Sequence, residues 1–268
     1  MCIRDRSYSS LDKFDPGKDY VPVSKRKEID KWIISKLQRL IGKATESIEK
    51  FEIHKAARSI EEFVVEDLSN WYIRRSRKRL WVEEESEDKL SCYSTLYEIF
   101  LTLSKLTAPF IPFLSEVIYQ GVRHGNMEES VHLCDYPGVN DNLIDEKLEE
   151  AMDIVREITD IGRAVRSKVG IKIRYPLSRA IVICSEDIEK VVRPLVDLIK
   201  EEINVKTIDF SREEKEFSEK LEKGDYIMEE GEKIKLIMDV KLTEELFAEG
   251  FSREIVRRIQ SMRKELNL

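Results

Sequence analysis

The feature that most limits how this chain can fold is a helical apolar period that holds, with few breaks, from residue 24 to residue 123. Ile29, Trp32, Ile33, Leu37 and Leu40 recur at three- and four-residue spacing, which marks an amphipathic helix to about Lys50. Ser24 with Lys27-Glu28 is read as its start. A second helix is expected from His54 to about Val82. A third runs from Lys89 to Leu106, with Leu96, Ile99, Phe100 and Leu103 on one face, and a fourth from Leu114 to Val122. Between the last two lies Thr107-Ala-Pro-Phe-Ile-Pro-Phe-Leu114, where Pro109 and Pro112 fix φ and break the helix, giving a packed corner. Helices this close in sequence form an antiparallel bundle.

The period fails elsewhere. Residues 1–23 contain Pro16, Gly17 and Pro22 among charges and read as a connector. Residues 124–142 hold Gly, Asn and Pro without a period and read as a linker, followed by a long helix from about Leu143 to Val169. After Gly170 the pattern changes. Ser178-Arg-Ala-Ile-Val-Ile-Cys184 is a short apolar run that predicts a buried strand, Ile188 to Glu202 a helix, and Val205 to Phe210 a second strand. Tyr226 to Met238 reads as a hairpin turning near Glu230-Gly231, and Thr243 opens a last helix. The expected fold is mainly α: an antiparallel helical bundle over 24–123, then a helix and a small α+β domain over 143–268.

Composition limits function. Hydrophobic residues make up 41% of the 268, enough for a core, and charged residues 37%, which suits long helices with solvated faces. The formal net charge is -7, so binding to nucleic acid has to come from local patches rather than a basic surface. Cys2, Cys92, Cys134 and Cys184 are scattered, without metal-ligand spacing, and read as free thiols rather than a zinc site or disulfides. The chain has no apolar run of membrane-spanning length. It is expected to be cytoplasmic and not to engage a membrane. His54, His124 and His132 are the only histidines, none beside a nucleophile motif, and no Walker loop, GxSxG or GxGxxG occurs. The acidic block at 83–85 reads as a solvated face. No catalytic residue and no metal site is expected.

What remains is local positive charge. Asn70-Trp-Tyr-Ile-Arg-Arg-Ser-Arg-Lys-Arg-Leu-Trp81 carries five positive charges and no acid. On a helical wheel Arg74, Arg75, Lys78 and Arg79 fall within roughly 140°, with Trp71 inside that arc and Ile73, Ser76 and Leu80 opposite. Guanidinium groups crowded on one face repel unless an anion sits there, and phosphate fits bidentately. Two readings stay open: these residues, Arg77 included, contact RNA, or they pair with acids on neighbouring helices. Trp71 is read as a core residue at the face boundary or as a platform for a base. A second run, Arg163-Ala-Val-Arg-Ser-Lys-Val-Gly-Ile-Lys-Ile-Arg174, adds Arg163, Arg166, Lys168, Lys172 and Arg174 around a helix end at Gly170. There the charges equally complement the helix dipole and a left-handed glycine cap. The final helix carries Arg253, Arg257, Arg258, Arg263 and Lys264 opposite an apolar stripe that is expected to dock on the rest of the chain.

In this order the motifs resemble isoleucyl-tRNA synthetase, a class I aminoacyl-tRNA synthetase, in the branch shared by archaea, eukaryotes and some bacteria. The resemblance rests on Phe14-Asp-Pro, Asp30-Lys-Trp-Ile-Ile-Ser-Lys-Leu, His54-Lys-Ala-Ala-Arg, Asp67-Leu-Ser-Asn-Trp-Tyr-Ile-Arg-Arg-Ser-Arg and Leu106-Thr-Ala-Pro-Phe-Ile-Pro-Phe-Leu-Ser-Glu. It continues through Ser130-Val-His-Leu, Gly170-Ile-Lys-Ile-Arg-Tyr-Pro-Leu-Ser-Arg and Arg257-Arg-Ile-Gln-Ser-Met-Arg-Lys, and covers about residues 11–210 and 240–268. It implies that the bundle docks an anticodon stem-loop, that the following domain helps to read the anticodon, and that tRNA(Ile) is the partner. Neither ATP-binding signature of the family occurs, and its editing domain is missing. The chain is thus read as an internal fragment that would work beside an N-terminal catalytic domain, in a parent enzyme using ATP with magnesium. Met1-Cys-Ile-Arg-Asp-Arg6 matches nothing in the family and is read as an artefact, and residues 211–239 look shortened. A standalone RNA-binding or scaffold protein derived from a synthetase is the alternative.

Overall fold

A computed structural model describes residues 14–266 except 83, 85, 215, 216, 218, 220, 222 and 223. Met1–Arg6, most of the connector and two members of the acidic block lie outside the described residues. The chain forms two compact units, residues 1–149 and 150–268.

The first unit is the expected helical bundle. Helix α1 (Glu28–Glu49) buries Ile29, Trp32, Ile33, Leu37, Leu40, Ile41 and Ala44, the stripe its sequence displays. It does not start at Ser24, which sits in a separate 3-10 turn, Val23–Lys25. Its first turn carries Glu28 and Asp30, acids that favour the positive end of a helix dipole. The single helix expected over 54–82 runs in three registers: α2 (Ile53–Glu62), a π-helical segment (Phe63–Ile73) and α3 (Arg74–Leu80). A π ladder bonds i to i+5 and widens the turn, so wheel positions extrapolated across it lose phase. Helix α4 (Glu87–Thr107) is capped by Ser86, whose hydroxyl accepts from the Lys89 amide at 3.1 Å. Pro112 opens α5 (Pro112–Val122) in the first turn, where a missing donor costs nothing. The corner between them is tied by the Thr107 and Ser115 hydroxyls, 2.8 Å apart.

Residues 124–142, aperiodic in sequence, lie against this bundle. The Tyr119 hydroxyl donates to the Glu128 carbonyl, the Val131 amide to Glu116, and the Asn140 amide to Gln38 on α1. Arg26, 2% exposed, fastens the entry segment: its guanidinium donates to the Val21 carbonyl, Thr95 and Glu98.

Helix α6 (Glu146–Lys168) leads into the second unit and ends at Gly170, whose φ of 68° is the left-handed cap expected there. Strand β1 (Leu177–Ile183) pairs in parallel with β2 (Val205–Ser211) across a crossover made of α7 (Glu186–Val192), a 3-10 turn and α8 (Val196–Ile203). Strands β3 (Tyr226–Glu230) and β4 (Lys235–Asp239) form the hairpin, closed where the Gly231 amide donates to the Ile234 carbonyl. The sheet order is β2-β1-β4-β3. Helix α9 (Glu244–Glu265) is capped by Thr243. Its expected docking holds only for the first half. Leu246 and Gly250 are buried and Phe247 meets Tyr175, whereas Ile255, Ile259, Met262 and Leu266 are 45–66% exposed.

Candidate nucleic-acid interface

Helix α3 carries the densest positive charge of the chain, and its roll decides which charges face outward. Ile73, Ser76 and Leu80 are buried, as the wheel predicts. The strongest constraint is electrostatic. Arg79 donates to both carboxylate oxygens of Asp30 on α1, at 2.8 and 2.7 Å, and to the Asp88 backbone carbonyl at 3.1 Å. Its guanidinium also lies 2.9 Å from the Asp88 carboxylate, which Lys27 approaches at 2.8 Å. The Tyr72 hydroxyl donates to Asp30 at 2.6 Å. Asp30 is fully buried, and a buried carboxylate is tolerated only when paired and hydrogen-bonded. Burial alone would lower the Arg79 pKa, but its hydrogen bonds to Asp30 and the charge of that carboxylate outweigh it and hold the group above the usual arginine range. Burial, reinforced by Cys92 and Asp30, raises the Tyr72 phenol well above its ordinary value.

With Arg79 drawn inward, the exposed face rotates from the one the wheel suggests. Arg75 lies half-buried over the Trp71 ring, its guanidinium carbon 3.6 Å from the centroid, and Trp71 is 5% exposed. Trp71 is thus a core residue with a cation stacked on it. Arg74, Arg77 and Lys78 are exposed. At 100° per residue they span roughly 100° together with Trp81, which stands four residues after Arg77 and three after Lys78. Trp81 is 53% exposed and keeps helical backbone, its amide donating to the Arg77 carbonyl at 3.0 Å. The basic arc of the wheel leaves Trp81 out. A signal for it is nevertheless present in the spacing, because i+7 from Arg74 is the same face of a helix.

The second basic run, in the residue 150–268 unit, is dispersed. Arg163 pairs with Glu202 and lies 3.7 Å from Asp160; Lys168 pairs with Glu229 and Arg174 with Glu254. Arg166, 3% exposed, donates to the carbonyls of Ile203, Asn204 and Tyr175 at 2.8, 2.8 and 2.9 Å. Burial pulls its pKa down to about 10. It ties the end of α6 to the end of α8. Lys172 is exposed. The structure therefore gathers Arg74, whose Nε donates to the Asn70 carbonyl at 3.0 Å, with Arg77 and Lys78 on one exposed face, and buries or disperses Arg79, Arg166, Arg163, Lys168 and Arg174 in contacts elsewhere in the fold.

Among the described residues no group of three His, Cys, Asp or Glu side chains could hold a metal ion, and no helix is long and apolar enough to cross a membrane. His54 and His132 are exposed, and the His124 ring meets the Tyr97 hydroxyl at 2.9 Å.

A basic helix face on a bundle, followed by a small α+β domain, narrows the comparison with known proteins. Residues 30–182 match the family described as the anticodon-binding domain of tRNA ligase. The chain belongs to that family. It is similar to the isoleucine–tRNA ligases of Pyrococcus abyssi (37% identical over 98% of this chain), Dehalococcoides mccartyi (37% over 96%) and Chlamydia trachomatis (41% over 79%). It spans 30%, 25% and 20% of those three proteins respectively. The aligned stretch of the Pyrococcus protein, 321 residues, is longer than this chain, so that relative carries segments absent here. Membership of the anticodon-binding family agrees with the resemblance read from the motifs, and the mainly α bundle with a small α+β unit agrees with the expected fold.

Proposed function

We propose that this chain docks the anticodon stem-loop of tRNA(Ile) and discriminates its anticodon, as the tRNA-reading part of a cytoplasmic isoleucine–tRNA ligase. The observation that carries the proposal is the exposed Arg74-Arg77-Lys78 face, held in register by the buried Arg79–Asp30 pair, in a chain of the anticodon-binding family. The helix fixes the backbone positions of three cations on one face, so they can meet neighbouring phosphates together, at the cost of the rotamer freedom each side chain loses on binding. Activation of isoleucine with ATP and magnesium and its transfer to tRNA belong, on this reading, to a catalytic domain that works with this chain.

The test is titration of the chain with tRNA(Ile) and with the same tRNA carrying a swapped anticodon, at two salt concentrations. Tighter binding of the first is expected. Equal binding of both, or none, overturns anticodon reading. Charge reversal at Arg74 and Arg77 should weaken both complexes and flatten the salt dependence by roughly 0.7–0.9 logarithmic units for each phosphate that is no longer neutralised. An unchanged slope removes α3 from the interface.

A further inference from the structure

We infer that Trp81 is a base-stacking residue of this interface, receiving an unpaired base while Arg74, Arg77 and Lys78 hold the adjoining phosphates. The inference deepens the tRNA reading above and rests on it. Three observations converge. First, the chain has three tryptophans, and their environments are opposite: Trp32 is 0% exposed, Trp71 5% and Trp81 53%. Half-exposure leaves part of the indole face of Trp81 accessible from solvent, whereas the rings of Trp32 and Trp71 are closed off. Second, Trp81 shares one helical face with Arg74, Arg77 and Lys78, at spacings of seven, four and three residues, so an aromatic plane ends a cationic stripe. Third, the opposite side of α3 is anchored by Ser76, Leu80 and the Arg79–Asp30 pair, so this face cannot roll inward without breaking a buried ion pair.

The chemistry of the stripe selects single-stranded RNA over other partners. Cations alone would suit any polyanion, duplex included. In a duplex the base faces are stacked on one another and closed to a side chain, whereas a loop can splay a base onto an indole. An aromatic plane at the end of a phosphate-binding face therefore distinguishes loop from stem. Its contribution is tolerant of base identity, since every base has a π face. Trp81 would then give loop recognition, leaving anticodon identity to other groups.

The test uses the whole chain and two probes: an RNA stem-loop carrying the isoleucine anticodon, and a blunt RNA duplex of the same length without unpaired bases. Trp81→Ala should weaken stem-loop binding about ten-fold, in the range of one lost base stack, and leave duplex binding and the salt slope unchanged. Trp81→Phe should retain most of the affinity. Because Trp32 and Trp71 are buried, quenching of tryptophan emission by the stem-loop should be present in the wild type and absent in Trp81→Phe, a readout that a purely structural role would not move. If the wild type binds the stem-loop and Trp81→Ala binds it equally well, or loses the duplex in equal measure, the stacking role is overturned while the tRNA reading stands. If the wild type binds neither probe, the tRNA reading falls and takes this inference with it.

Discussion

Replacing Arg79 by methionine isolates the interaction that sets the roll of α3. Methionine keeps an unbranched stem in the same space and removes only the guanidinium. Asp30, 0% exposed, then retains the Tyr72 hydroxyl of this network but loses two charged hydrogen bonds of 2.8 and 2.7 Å. Breaking a buried pair from one side strands a charge and costs about 3–5 kcal/mol. The Arg79 side chain is only 12% exposed, so solvent screening does little to soften that loss. Arg77→Met on the same helix, at an exposed position, should change stability by less than about 0.5 kcal/mol. Urea unfolding followed by tryptophan emission is the assay, because Trp32, Trp71 and Trp81 all lie in the residue 1–149 unit and report on it alone. With a denaturant slope of about 2 kcal/mol/M, the Arg79→Met midpoint should fall by roughly 1.5–2.5 M. Adding Asp30→Asn removes the stranded charge while keeping an acceptor for Tyr72, and should recover at least about 1 kcal/mol. The reasoning is refuted if Arg79→Met costs no more than Arg77→Met, or if Asp30→Asn makes the single variant worse.

Two glycines should respond oppositely to alanine. At Gly162 on α6 an added methyl would stand 2.5 Å from the Ile203 side chain, so overpacking of about 1–3 kcal/mol should exceed the roughly 1 kcal/mol gain in helix propensity. At Gly42 on α1 the nearest atom is 3.5 Å away on Val139, and the propensity gain should prevail; thermal melts read by circular dichroism give both signs. Burial pushes the Cys92 thiol up to about 11 from its ordinary 9.0. The folded form keeps that proton, so its stabilisation is complete below pH 9 and lost as pH rises through 11, on the order of 2–3 kcal/mol. In a Cys2→Ser background, a thiol reagent at about pH 8 should label Cys134 and Cys184 in the native chain and reach Cys92 only after denaturation. Labelling of native Cys92 at the rate of the other two would contradict its burial.

The order and type of the elements are legible in the sequence because the signals that specify them are local. Ser86 and Thr243 cap helices by bonding amides three residues on, Gly170 ends a helix by adopting a φ that other residues avoid, and the apolar runs at 178–184 and 205–210 become parallel strands joined by the helical stretch between them. The side of α3 that faces solvent is not legible. The wheel places Arg75 and Arg79 with Arg74 and Lys78, and leaves Arg77 and Trp81 outside that arc. The actual face is chosen by Asp30, which lies 49 residues earlier and reaches Arg79 only when α1 and α3 pack. The second basic run is taken apart in the same way, by Glu202, Glu229, Glu254 and the carbonyls at the end of α8. Sequence alone determines that positive charge concentrates on α3, since five cations within six residues share no acid. Which of those cations face outward is decided by the tertiary structure, because a buried carboxylate has to be neutralised by whichever guanidinium the packing brings to it.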